Sequence, residues 1–277
     1  MTVRRWITLF VVVLVISLIW SMPASLMPAL IKTLTPQQYS EALLVINPSG
    51  RLWSGAASQV IIHVPESTAS QQIVLDDVSW QMRPGALLTG RLCLTIRSAD
   101  NQRNFDGDAC VNRGGYLDVS DLVFSIPVAD ILPPQLQAMS KAIQVNGNLD
   151  GRVNDFRWHA GQVQTLQSQG VWSNASLSLA LADPRSGRIS RQLLSLGELP
   201  WRLQHLQQDE FQLVMDKADT LSDLSISVDS RVRLSGAYET DLRVSAAPST
   251  PAFLRDLLRL MGSETEPGVY QISMRSP

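Results

Sequence analysis

Apolar residues recur at every second position along much of this chain. Val60, Ile62 and Val64 alternate with other side chains, as do Leu224, Ile226 and Val228, then Val232 and Leu234, and later Leu242 and Val244. Successive side chains of a strand point to opposite faces of its sheet, so this period predicts half-buried antiparallel sheet. Turn-forming groups punctuate the runs at Pro48-Ser49-Gly50, Asn146-Gly147, Asp150-Gly151, Asp183-Pro184 and Ser186-Gly187. At 277 residues, the chain is long enough to bury a real core in one or two domains. The expected fold class is mainly β.

The N-terminus breaks the pattern. After Arg4 and Arg5 no charged residue appears before Lys32, a run of 26 positions, and Trp6 to Trp20 is interrupted only by Thr8 and Ser17. About 20 apolar residues suffice for a helix to cross a hydrocarbon core. Residues 1–31 are therefore expected to form a cytoplasmic stub and one transmembrane helix, with Trp6, Phe10, Leu14, Leu18 and Trp20 as its membrane-anchoring residues. The two tryptophans suit the interfaces, and the two arginines keep the N-terminus in the cytoplasm. A cleaved signal peptide competes with this reading, but cuts after Ala24 or Ser25 place Met22 or Pro23 at the −3 position, where a small residue is preferred. Either reading exports the bulk of the chain. Residues 32–46 are expected to form a juxtamembrane linker.

Charge excludes several functions. The chain carries 23 basic and 25 acidic residues, a formal net charge of −2. Without Arg4 and Arg5 the exported part has 23 − 2 = 21 basic residues against 25 acidic ones, or about −4. That balance offers no dominant electrostatic grip on nucleic acid and no polybasic clamp on anionic lipid. Three histidines and two cysteines are too few for a zinc-finger array or an iron–sulfur scaffold.

The two cysteines fit one hairpin. Cys93 lies in a run where Leu92, Leu94 and Ile96 alternate, and Cys110 lies in a second strand-like run starting near Phe105. The intervening Ser98–Asn104 stretch is rich in turn formers. A hairpin centred between Asn101 and Gln102 sets Cys93 opposite Cys110. This register allows a cross-strand disulfide in an oxidising compartment; two buried free thiols are the alternative.

The halves of the exported chain resemble one another. Trp53-Ser54 recurs as Trp172-Ser173 at an offset of 119, and Trp80-Gln81-Met82-Arg83 recurs approximately as Trp201-Arg202-Leu203-Gln204 at 121. The strand at Val123 running into Pro127 matches that at Val244 running into Pro248, again at 121, as does Gly147 with Gly268. Similar landmarks in one order at nearly one offset suggest duplication of a unit of about 120 residues. Two similar antiparallel units are expected, residues 47–155 and 156–277, each with a short helix. The second helix is the clearer one: Thr250 caps it, Pro251 enters its first turn and Gly262 ends it. Phe253, Leu254, Leu257, Leu258 and Met261 share its apolar face, which suits covering a sheet. Near Ile131, Pro133 and Pro134 permit only a short helical start on their C-terminal side.

Chemistry is not announced. There is no G-x-S-x-G elbow, phosphate-binding loop or dinucleotide fingerprint, and His63, His159 and His205 have no metal-ligand spacing. Asp106-Gly107-Asp108 lacks the spacing of a calcium loop and reads as a solvated strand. Asp76, Asp77, Glu198 and Glu210 supply carboxylates without marking any two as a hydrolytic pair. No catalytic, cofactor-binding or metal-binding residue is assigned, no cofactor is expected, and no partner-binding residue can be chosen. The expectation is that the protein is not an enzyme.

The ordered landmarks resemble a known family. They are the basic start and single anchor, Gly50-Arg51-Leu52-Trp53-Ser54-Gly55, and Trp80-Gln81-Met82-Arg83-Pro84-Gly85-Ala86-Leu87-Leu88-Thr89-Gly90-Arg91-Leu92. The Trp172 strand follows, then Pro251–Leu258 and finally Gly268-Val269-Tyr270. Together they resemble protein N of the bacterial type II secretion system, the GspN family, over nearly the whole chain. The resemblance implies an accessory single-pass inner-membrane protein, N-terminus cytoplasmic and β-domain periplasmic. It implies partners among other secretion subunits, either inner-membrane components or the secretin, in support of export of folded proteins across the outer membrane. It carries over no catalytic residue and does not bear on the cysteine pair. A more distant likeness to AsmA-like envelope proteins implies the alternative of a membrane-anchored carrier holding lipid in an apolar β-groove. A periplasmic hydrolase is a third reading, requiring a cluster of histidines or carboxylates in space.

Overall fold

Strands dominate the computed structural model, which describes residues 6, 10, 11, 13, 14, 17, 20–26, 29, 43–63, 72–100, 103–112, 114–131, 143–160, 162–182, 189–207, 209–216, 224–233, 237–248, 250 and 252–275. Contacts divide the chain into two units, Met1–Gly114 and Gly115–Pro277. In the first, β1 (Leu43–Arg51), β2 (Ser54–His63), β3 (Gln72–Met82), β4 (Arg91–Ala99) and β5 (Asn104–Asn112) pair antiparallel in chain order. The short helix α1 (Pro84–Leu87) joins β3 to β4.

The second unit contains β6 (Leu117–Pro127), α2 (Val128–Ile131), β7 (Ile143–His159), β8 (Gln162–Ala182), β9 (Ile189–His205), β10 (Glu210–Asp216), β11 (Leu224–Arg233) and β12 (Tyr238–Ala246). They are followed by α3 (Ala252–Met261), β13 (Ser263–Glu266) and β14 (Val269–Arg275). The strands pair in chain order as far as β12, which pairs with β14, and β13 lies outside β14.

Each unit has its own core. In the first, Ala57, Val60, Leu75, Val78 and Trp80 are buried together with Ala24 from the N-terminal segment. In the second, Leu194, Leu196, Leu199, Leu224, Val244, Tyr270 and Ile272 are buried against Leu254 and Leu258 of α3. The helix thus covers its sheet, but with less of its apolar face than the sequence predicts: Leu257 and Met261 are exposed, and so is Leu260. A sheet presents only one groove to the helix, so the flanks of a broad apolar stripe remain outside it. Gly262 ends α3 as expected, its N–H donating to the Leu258 carbonyl at 3.0 Å. A short helix, α2, precedes Pro133 and Pro134, and the helical start expected on their C-terminal side lies outside the described residues.

Strict alternation fails on β3 and on β9, and in each a tryptophan follows. On β9 the buried positions run Leu194, Leu196, then Leu199 and Trp201, changing parity at Gly197, whose φ is +77°. On β3 they run Leu75, then Val78, Trp80 and Met82, changing parity beside Asp77, whose φ is +49°. These kinks send the ring of each tryptophan across a glycine on the next strand. Trp80 is in register with Gly55, and Trp201 with Gly170, which itself faces Gly151 and then Phe124. A Cβ added at Gly55 stands 2.5 Å from the Trp80 indole, and one at Gly151 2.5 Å from that of Trp201. The second unit therefore holds an aromatic–glycine–glycine–aromatic row across four strands, with the Phe124 and Trp201 rings 6.0 Å apart. Rings laid over bare glycine backbone replace packing that the missing side chains cannot give.

Three of the turn signals lie within strands instead. Asn146-Gly147 and Asp150-Gly151 both lie inside β7, the first at a bulge and the second beneath Trp201. Pro48-Ser49-Gly50 lies at the end of β1, the terminal strand, where a proline costs little ladder bonding. Residues 43–46, read from sequence as the end of a linker, pair with β2 as the first half of β1. The proposed repeat boundary at 155/156 falls within the unbroken β7, whereas the contact boundary is at Gly114/Gly115. Asp183-Pro184 and Ser186-Gly187 lie outside the described residues, as does Val64.

Substituting Gly170→Ala forces a methyl to within 2.0 Å of the Asp150 carbonyl oxygen and 2.7 Å of Trp201. The expected loss in urea unfolding is at least the roughly 1–3 kcal/mol typical of overpacking. Gly85→Ala meets nothing within 4 Å and should leave the midpoint unchanged or slightly higher.

Candidate functional site

The N-terminal segment is fixed to one end of the first sheet. Trp20 stacks on Trp53 in the β1–β2 turn, ring centroids 6.3 Å apart. The Leu52 N–H donates to the Met22 carbonyl at 2.8 Å, Pro23 bridges to Arg51, and Ala24 is fully buried in the first core. The turn is clamped in turn by Trp80, whose indole N–H donates to the Leu52 carbonyl at 3.0 Å. Ahead of this attachment the expected anchor residues Trp6, Phe10, Leu14 and Trp20 are helical and expose 65%, 66%, 47% and 51% of their surface. Leu18 lies outside the described residues. Among the described residues, no helix is long and apolar enough to cross a membrane.

The β3–β4 connection occupies the same end. Antiparallel pairing puts the end of β1, the start of β2, the end of β3, the start of β4 and the end of β5 together. Cys93 faces Cys110 in register there, and the two form a disulfide across a separation of 17 residues. Arg83 begins the connection, its backbone N–H bonding to the Cys93 carbonyl and its guanidinium pairing with Asp108 at 2.6 Å. Asp108 also accepts from Thr95, and Asp106 pairs with Arg97 at 3.2 Å. The Asp-Gly-Asp run is thus committed to cross-strand ion pairs.

The remaining polar candidates are dispersed. His159 stacks on Tyr116 at 3.8 Å, and His205 lies beside Phe211. The side chain of His63 lies outside the described residues. Asp76 accepts from Gln59 at 2.9 Å, and Asp77 forms the kink of β3. Glu210 opens β10, while Glu198 is seven residues along β9 from His205, which faces Phe211. Among the described residues, no group of three or more histidines, cysteines and carboxylates is placed to hold a metal. The Trp201 indole nitrogen is buried without a partner, unlike that of Trp80.

The terminal strands differ in their defences. β13 is four residues long and carries Glu264 and Glu266, the short, charged form that discourages pairing with another chain. Glu264 is also structural: its carboxylate accepts the Gly268 N–H at 2.9 Å and faces Arg259 at 3.4 Å. Chiefly the Gly268 bond, then the arginine, holds this carboxyl below the usual carboxylate range. β1, by contrast, begins with Leu43-Leu44-Val45-Ile46 and pairs with β2 alone among the described strands.

Two outcomes follow from these contacts. Replacing Cys93 and Cys110 together with alanine should lower stability by about 3 kcal/mol, the chain-entropy value for a loop of this size, in denaturant titrations without reductant. A carboxyl whose folded pKa is depressed contributes stability above its unfolded pKa and loses it as pH falls through the folded value. Glu264→Gln should therefore flatten the acid limb of the stability curve and leave Gly268 exchanging its amide hydrogen faster at neutral pH.

Comparison with known proteins agrees with these landmarks. No curated protein and no solved structure matches the chain. The family model described as type II secretion system protein N matches residues 41–273, well over half of the sequence, from before β1 into β14. The chain belongs to the type II secretion system protein N family.

Proposed function

We propose that this chain is a single-pass protein of the bacterial inner membrane, with its N-terminus cytoplasmic and its β-rich part periplasmic. There it binds other type II secretion subunits, inner-membrane components or the secretin, and so supports export of folded proteins. Membership of the family implies an accessory role in type II secretion. The observation that carries the membrane reading is the row of helical, exposed Trp6, Phe10, Val11, Val13 and Leu14, which ends where Trp20 and Met22 join the β1–β2 turn. Apolar side chains left bare by the protein are solvated by hydrocarbon at no cost, and in water they are a liability. The disulfide suits an oxidising compartment.

A tethered domain samples a thin shell beside the membrane, which raises its effective concentration for neighbouring anchored subunits. The apolar half of β1 is the edge best suited to accept a partner strand, because main-chain bonds give affinity and alternate side chains give register. The two-unit repeat has support in the element bounds: β4 and β10 begin 119 residues apart, β5 and β11 120, and β6 and β12 121. We read this as duplication of one strand-rich unit.

Photo-crosslinking from positions along β1 in native cells, followed by mass spectrometry, tests this function. Capture of inner-membrane secretion subunits or of the secretin is expected. Capture of lipid alone at matched expression would favour the membrane-anchored lipid carrier. Proline substitution at Leu44, which is exposed and does not pack on the first core, should abolish partner capture while leaving the fold intact.

A further inference from the structure

The connection between β3 and β4 displays two leucines to solvent at the end of the sheet where the N-terminal segment attaches. Leu88 is 91% exposed and Leu87 42%. They are held out by an ordered turn: the N–H groups of Leu88, Thr89 and Gly90 donate to the carbonyls of Gly85, Ala86 and Leu87, and the Thr89 hydroxyl to that of Ala86. The disulfide just inside the turn locks β4 to β5 beneath it. An apolar pair fixed in a hydrogen-bonded turn costs little entropy to bury.

Register fixes where this turn stands. Trp53 sits level with Met82, whose N–H donates to the Trp53 carbonyl, and Met82 faces Leu94. β4 continues past that level to Arg91, three residues or about 10 Å farther along the strand direction. The leucine turn therefore projects beyond the Trp20–Trp53 stack, on the side where the sheet ends. Arg51 and Arg91 are exposed at this end and form no ion pair among the described residues.

We propose that this end of the first unit rests on the outer leaflet of the inner membrane. Leu87 and Leu88 dip into the lipid interface, Trp20 and Trp53 lie at headgroup level, and Arg51 and Arg91 face lipid phosphates. The occupant is lipid, because the turn shares its end of the sheet with the segment that emerges from the bilayer, and because indoles and arginines flanking bare leucines match the layering of an interface. The inference rests on the anchoring proposed above. The anchor then meets the membrane at two places, which fixes the tilt of the first sheet.

The test uses the full chain in phosphatidylethanolamine–phosphatidylglycerol nanodiscs. A polarity-sensitive fluorophore is placed singly, without reductant, on Leu88→Cys, Phe10→Cys and Asn104→Cys, the last exposed at the opposite end of the sheet. Brominated acyl chains should quench positions 10 and 88 several-fold more than position 104, with blue-shifted emission at both. Quenching at position 10 with a fully aqueous signal at position 88 would overturn the inference and leave the anchor standing. A position 88 label hidden from iodide but untouched by brominated lipid would assign the turn to a protein partner instead and equally overturn it. Absence of lipid quenching at position 10 would remove the anchoring reading itself. Leu87→Ser/Leu88→Ser should release the turn from lipid without lowering stability in detergent, since neither leucine is buried in a core.

Discussion

The protein depends on aromatic rings laid across glycine backbone. Trp80 covers Gly55, and Trp201 covers Gly170 and Gly151, with Phe124 closing the row. A glycine in a strand gives neighbours nothing to pack on and leaves the chain free to bend. The overlying ring restores apolar contact and pins the register, because moving the strand by one residue would place a side chain where no room exists. In the first unit the same ring also lies in the core, so Trp80 serves both register and burial there.

In the first unit that constraint reaches as far as the N-terminus. The indole of Trp80 packs on Gly55 and donates to Leu52, and Leu52 donates to Met22. Ala24 then enters the core beside Ala57. Two hydrogen bonds thus connect the point of attachment to the central strand of this sheet.

Much of the architecture was legible in local pattern. Alternation announced strands because a half-buried strand exposes every second side chain, and the spacing of turn formers between Cys93 and Cys110 set their register. Legibility failed where a residue type has two uses. Asp150-Gly151 read as a turn because glycine most often serves conformation, but there the glycine serves as space for a ring from two strands away, while Gly147, with φ at +115°, serves conformation at a bulge rather than at a turn. The width of the apolar face of α3 overstated its burial for a related reason: helical period reports which side chains share a face, and the groove of the sheet decides how many of them fit. The place of the leucine turn carried no signal, since Arg51 and Trp53 are remote from Leu88 and Arg91 in sequence and share one end of the sheet only after β1 to β4 pair.

By itself, then, the sequence determined the class of structure, the family, the cysteine register and the apolar segment near the N-terminus. Each of these depends on neighbours along the chain or on an ordered set of landmarks. Tertiary structure alone decided which glycines lie beneath rings, where strand parity switches, how much of the apolar face of α3 is covered and what stands beside Trp20. These are contacts between residues brought together by strand pairing across long separations, and a linear pattern holds no record of how closely two distant surfaces approach.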